Sequence, residues 1–222
     1  MISRKSSMVF AVAVLLVSLV LSGCMGGSPG NKYSLAIGVQ GQGSVVPKVG
    51  TYEYAQGTSV SLKATPAQDW KFSHWIGDVA ESDSANTEIV VDARKSVTAV
   101  FKAALGKAIS IDSSDDITFE QDISLDLSNI TVPAGTTVTV RDITDETELP
   151  SGLRAAGPVV DITFDSNIDF SEGVTLRLPI MEQPDPNTLS SVAIFYKTGD
   201  QWLYRPTTIE GDFAVATATS FS

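Results

Sequence analysis

The chain is predicted to be all-β, and three observations carry that prediction. Apolar and polar residues alternate at period two in segment after segment. Glycine, proline, asparagine and aspartate divide these segments at short intervals. No amphipathic helical pattern follows Cys24, and at most one helical turn is expected, around residues 146–155. Period-two alternation gives a strand one buried and one wet face, as in antiparallel sheets. Short strands cut by turn formers build sandwiches or small barrels.

The N-terminus is the exception. Arg4 and Lys5 precede an apolar run over residues 8–21, and small residues follow it. This is the plan of a secretory signal. The run is too short to span about 30 Å of hydrocarbon, which takes roughly 20 residues. It closes on Leu21-Ser22-Gly23-Cys24, and Cys24 is the only cysteine. This tetrapeptide resembles the lipobox of bacterial lipoproteins. The resemblance implies a signal peptide over residues 1–23, cleavage before Cys24, a diacylglycerol thioether on its sulfur and acylation of the new amine. No other cofactor is expected. One acyl chain, at about 0.8 kcal/mol per buried methylene, holds a protein marginally, and two or more hold it stably. Residues 24–32, with Gly26, Gly27, Ser28, Pro29 and Gly30, can form no core and read as a flexible tether.

Composition agrees with export. Fifteen basic residues stand against 26 acidic ones, a net charge of −11. Removal of Arg4 and Lys5 with the leader makes the exported chain more acidic still. Such a surface repels nucleic acid and anionic headgroups, so membrane attachment falls to the lipid. With Cys24 lipidated, no thiol remains for a disulfide, redox chemistry or a cysteine metal site. The folded part must be held by core burial.

Residues 33–102 form the first expected module. A strand over 33–39 leads into Gly41-Gln42-Gly43-Ser44-Val45-Val46-Pro47, then Gly50-Thr51-Tyr52. Ser59-Val60-Ser61-Leu62-Lys63-Ala64 alternates strictly, with Val60, Leu62 and Ala64 on one face. Trp70-Lys71-Phe72-Ser73-His74-Trp75 and Gly77-Asp78 follow. Ser96-Val97-Thr98-Ala99-Val100-Phe101 closes the module, with Val97, Ala99 and Phe101 inward. A unit this small needs large side chains in its core. Trp70, Phe72, Trp75 and Phe101, with Tyr54, are the candidates, each burying on the order of 150–250 Å². Gly43, Gly57 and Gly77 are expected in turns that require a positive φ. His74, the only histidine, reads as a solvated strand residue with no partners for a metal site or triad. This order of parts resembles the divergent B-repeat module of internalin-type bacterial surface proteins. The resemblance implies a small β-grasp-like unit that spaces a binding domain from the membrane.

A boundary is expected at residues 103–107, and residues 107–222 form the second module. Ile123-Ser124-Leu125-Asp126-Leu127 alternates, and Val132-Pro133-Ala134-Gly135 precedes a Thr/Val strand. Further strands are expected from Gly157-Pro158-Val159-Val160-Asp161-Ile162, over Val174-Thr175-Leu176-Arg177-Leu178 and over residues 191–196, before Trp202 and the ending Ala218-Thr219-Ser220-Phe221-Ser222. The order is similar to ZU5-like domains, which are antiparallel β-sandwiches. Some of those relatives cut their own backbone at His-Phe-Ser or His-Leu-Ser. Here Ser220 stands where the histidine would be, and a hydroxyl cannot take a proton near neutral pH as an imidazole can. No self-cleavage is expected. Phe221 is read as a plug at the sandwich end.

Acidic residues are the last candidates for chemistry. Asp112, Asp115, Asp116, Glu120 and Asp122 crowd one stretch, and Asp142, Asp145, Glu146 and Glu148 another. Calcium takes six to eight oxygens, and Asp112, Asp115 and Asp116 are its weak candidates. Neither stretch has EF-hand spacing, so solvated loops are the main expectation and no metal is assigned. No phosphate loop, serine elbow or zinc motif occurs. The chain is therefore expected to be a non-enzymatic, lipid-anchored surface protein. Its two modules would serve adhesion or bind an envelope protein or glycan, with the second as binder. A structural or assembly role in the envelope is the alternative. A glycan-acting enzyme would need paired carboxylates in a deep cleft.

Overall fold

A computed structural model describes residues 30–112, 116–182 and 192–220. Leu21, Ser22, Gly23 and Cys24 lie outside the described residues, as do Asp115, Phe221 and Ser222. The chain divides into Met1–Gly30 and Asn31–Ser222. The second of these units is all strands apart from two short 3₁₀ turns among its described residues.

The first module runs β1 (Lys32–Gln40), β2 (Gly43–Val46), β3 (Gly50–Ala55), β4 (Thr58–Pro66), β5 (Trp70–Ile76), β6 (Asn86–Val91) and β7 (Lys95–Ala103). One sheet has the order β3-β1-β7-β5 and the other β2-β4-β6. The β1–β7 pair is parallel, with Ile37 beside Val97, and the other pairs are antiparallel. Alternation sets what is buried. Val60, Leu62 and Ala64 from β4 meet Leu35 and Ile37 from β1 and Val97, Ala99 and Phe101 from β7 in one core. Among the described residues, no helix packs on either sheet.

Gly43 has no positive φ, contrary to the sequence expectation; that conformation belongs to Gly41, at +78°. Gly43 is needed for another reason. A Cβ there would lie 2.5 Å from the Phe101 ring, so the strand approaches that ring as only glycine allows. Gly57 and Gly77 do take positive φ.

The second module contains β8 (Ala108–Ser110), β9 (Asp116–Thr118), β10 (Ser124–Asp126), β11 (Thr137–Asp142), β12 (Val160–Phe164), β13 (Val174–Pro179), β14 (Ile194–Thr198), β15 (Gln201–Arg205), β16 (Thr208–Glu210) and β17 (Phe213–Ala218). Its sheets have the orders β16-β17-β13-β10-β9 and β12-β11-β8, and β14–β15 forms a separate hairpin. Ile123, Leu125, Leu127, Val138, Val140 and Val174 are fully buried between them. The helical turns lie at Glu120–Asp122 and Thr144–Glu146, and residues 147–155 are irregular, which moves the expected turn upstream.

The junction is packed. Residues 97, 99 and 101 of β7 enter the first core, and Ala103, the next residue on that face, enters the second. Ala103 bridges in parallel to Phe119, and Trp70 packs against both cores. Lys71 and Lys102 then reach Glu120 and Asp122, each at 2.6 Å. The Glu120–Asp122 turn holds Gln121 and Asp122 at φ of 60° and 61°, and Gln121 donates to Asp142 at 2.9 Å.

Candidate functional site

The aromatic candidates sit in and around the first core. Trp75 and Phe101 are buried, while Trp70, Phe72 and Tyr54 are half-buried against it. Phe72 and Trp75 are three residues apart, which in a regular strand puts them on opposite faces. A bulge between Phe72 and His74 adds one residue to β5 and brings both rings to the core. The Phe72 ring lies 5.8 Å from Trp75 and 6.0 Å from Phe101. The Trp75 indole donates to the Ser84 carbonyl at 3.0 Å, which satisfies its polar edge. His74 is half-buried rather than solvated, with Nδ1 3.0 Å from the Ser73 hydroxyl.

The acidic candidates are dispersed. Glu120 is held by Lys71 and accepts from the Leu105 N–H at 3.2 Å. The Lys71 ammonium keeps its carboxyl below the usual range, against partial burial. That contribution is present above the unfolded-state pKa and is lost as pH falls through the lowered folded value. Asp142 accepts from the Thr144 hydroxyl and N–H at 2.6 and 2.9 Å, which lowers its pKa, the hydroxyl first. Among the described residues, no three His, Cys, Asp or Glu side chains gather as a metal site would require.

Asp116 stands directly across the β9–β10 pair from Asp126. Burial raises its pKa first, the Asp126 charge adds to that, and Arg177 opposes both. Asp126 is held low by hydrogen bonds from Ser128. Facing like charges destabilise a sheet by about 0.2–1 kcal/mol. Asp116→Asn is therefore expected to raise stability at pH 7 by about that amount. A raised carboxyl pKa means the cost is absent below the unfolded-state value and grows as pH rises through the folded one. The gain should disappear in urea titrations below pH 4. An equal gain at pH 3 and pH 7 would refute the electrostatic origin.

A cleft of about 1020 Å³ opens in the second module, at the upper end of the size of small-molecule sites. Leu176 and Leu178 of β13 line it with Ala214 and Ala216 of β17, where small side chains leave room above the sheet. Val160 and Ile162 of β12 also contribute. Arg154 and Glu182 line the cleft and pair at 2.8 Å. The β14–β15 hairpin supplies Tyr196, Lys197, Trp202 and Arg205.

The hairpin turns through Gly199-Asp200, a two-residue loop that suits strand twist. Its base is pinned by Thr207, whose hydroxyl accepts from the Ile194 N–H at 2.9 Å and donates to the Arg205 carbonyl at 2.7 Å. Arg205 lies 4.2 Å over the Tyr196 ring and donates to the Ser220 hydroxyl at 3.3 Å. Ser220 thus faces a cation that cannot serve as base.

Sequence reasoning read Tyr196 as a strand residue, noted Trp202 only as following that strand, and passed over the hairpin as a surface. The available signal was Gln201-Trp202-Leu203-Tyr204-Arg205 after Gly199-Asp200, in which both faces carry large apolar groups. A strand buried on one side alternates; this one does not.

Residues 33–105 match the family model of the divergent InlB B-repeat domain. Domains of this kind are extracellular surface modules and typically non-catalytic. No curated protein and no solved structure matches the chain. Among the described residues, no helix is long and apolar enough to cross a membrane.

Proposed function

We propose that the chain is a lipid-anchored protein of the bacterial cell envelope, tied to the membrane at Cys24. The B-repeat-like module holds a ZU5-like sandwich away from the bilayer, and the sandwich binds an envelope protein or glycan. The observation that carries this reading is the order of parts: a lipobox-like Leu21-Ser22-Gly23-Cys24, a Gly/Ser/Pro tether, then a segment similar to a surface module. The packed junction supports it, because a spacer works best when its two halves cannot swing freely. The cleft and hairpin place the concave, aromatic surface in the second module.

Cys24→Ser is expected to abolish incorporation of labelled palmitate and to shift the protein from the membrane to the soluble fraction. Undiminished label, or a serine variant that stays in the membrane, overturns the anchor. A structural role in envelope assembly is the second reading. Co-purification with one envelope complex, independent of the hairpin, would select it.

A further inference from the structure

We propose that one face of the β14–β15 hairpin binds a uronate-type, polyanionic glycan. This names the ligand class of the surface-display reading and rests on it.

Register defines the face. Phe195 stands opposite Tyr204, and Lys197 opposite Trp202, so all four side chains point the same way. Successive rings along β15 are two residues, about 7 Å, apart, comparable to neighbouring sugars in an extended polysaccharide. The Phe195 and Tyr204 rings meet edge-on at 6.0 Å, and Tyr204 is 58% exposed. The hairpin pairs with no other described strand. An exposed aromatic surface of this kind marks an interaction site.

Charge selects the ligand. The chain carries −11, yet Lys197 and Arg205 in the hairpin have no ion pair among the described residues. The other three arginines of the second module are all paired with glutamates. An uncompensated lysine beside three rings fits a ligand whose C–H faces stack on aromatics and whose carboxylates meet an ammonium. A folded acidic partner would bring its bulk against the acidic body and be repelled. A single-file glycan touches only the strip of rings around Lys197, the one cation on this face, since Arg205 turns to the other face over Tyr196. A peptide would add to a strand edge through its main chain, whereas the chemistry here lies in the side chains of a face.

The test uses the full-length chain in detergent on immobilised polygalacturonate, alginate and hyaluronate, with dextran and polyglutamate as comparisons. Retention on at least one uronate polymer, weakened by salt, is expected. Lys197→Glu should reduce it about tenfold or more, and Tyr204→Ala about two- to tenfold. Both side chains are exposed, so circular dichroism should be unchanged. Lys63→Glu, an equal charge change in the first module, should leave retention intact. Failure on all three uronates, equal retention on dextran or polyglutamate, or equal loss with Lys63→Glu overturns the assignment. Palmitate labelling of the same preparation separates the two readings: a lipidated protein that binds no uronate removes only the ligand class.

Discussion

Replacing Phe101 with alanine is expected to lower the unfolding free energy by about 3–5 kcal/mol. The ring is 1% exposed, touches Phe72 edge-on and fills the space against Gly43 that no side chain occupies. Removing it leaves a cavity that neighbouring β-sheet backbone cannot collapse to fill. The same geometry predicts a coupling. Gly43→Ala drives a methyl into the Phe101 ring and should destabilise the wild type strongly. In the Phe101→Ala background that methyl meets open space, so its cost should largely vanish. Urea unfolding of the four proteins, followed by tryptophan fluorescence, measures the cycle. Additive effects would mean that the ring and the glycine do not share one site.

Phe119→Ala is expected to cost a similar amount, about 3–5 kcal/mol, but to act on both modules. Phe119 is fully buried in the second core and bridges Ala103 at the end of β7. Strand β7 is the parallel partner of β1 and the antiparallel partner of β5 in the first sheet. Loss of the ring should free the last residues of β7, so amide exchange should accelerate at Lys102 and Ala103 as well as around Ile123 and Leu125. The ion pairs at the junction are too exposed to compensate, since such pairs contribute about 0–1 kcal/mol. Faster exchange confined to the second module would show that the cores are independent.

Much of the fold was legible because period-two burial is a local property. Val60, Leu62 and Ala64, or Val97, Ala99 and Phe101, announce their inner face without help from distant residues. Three features were not legible, each because it depends on a partner remote in sequence. The β5 bulge turns Phe72 and Trp75 to the same side, and only the pairing with β7 shows it. Gly43 looked like a turn residue, whereas its meaning lies in a ring 58 positions away. Glu120 and Asp122 looked like members of an acidic cluster, whereas Lys71 and Lys102 draw them into the junction.

The candidate site divides the same way. The lipobox-like tetrapeptide is contiguous, and recognition of such a segment needs no fold at all. The hairpin face is also nearly contiguous, yet its importance appears only once the other described strands are seen to leave the hairpin unpaired. The order of residues alone determined an acidic, all-β chain with one cysteine, because charge and alternation are additive along a sequence. Tertiary structure alone decided that β7 runs from one core into the next, that a cleft opens over the alanines of β17, and that Lys197 forms no ion pair among the described residues. Those facts follow from which surfaces meet, and pairing between distant strands is settled by packing rather than by any single segment.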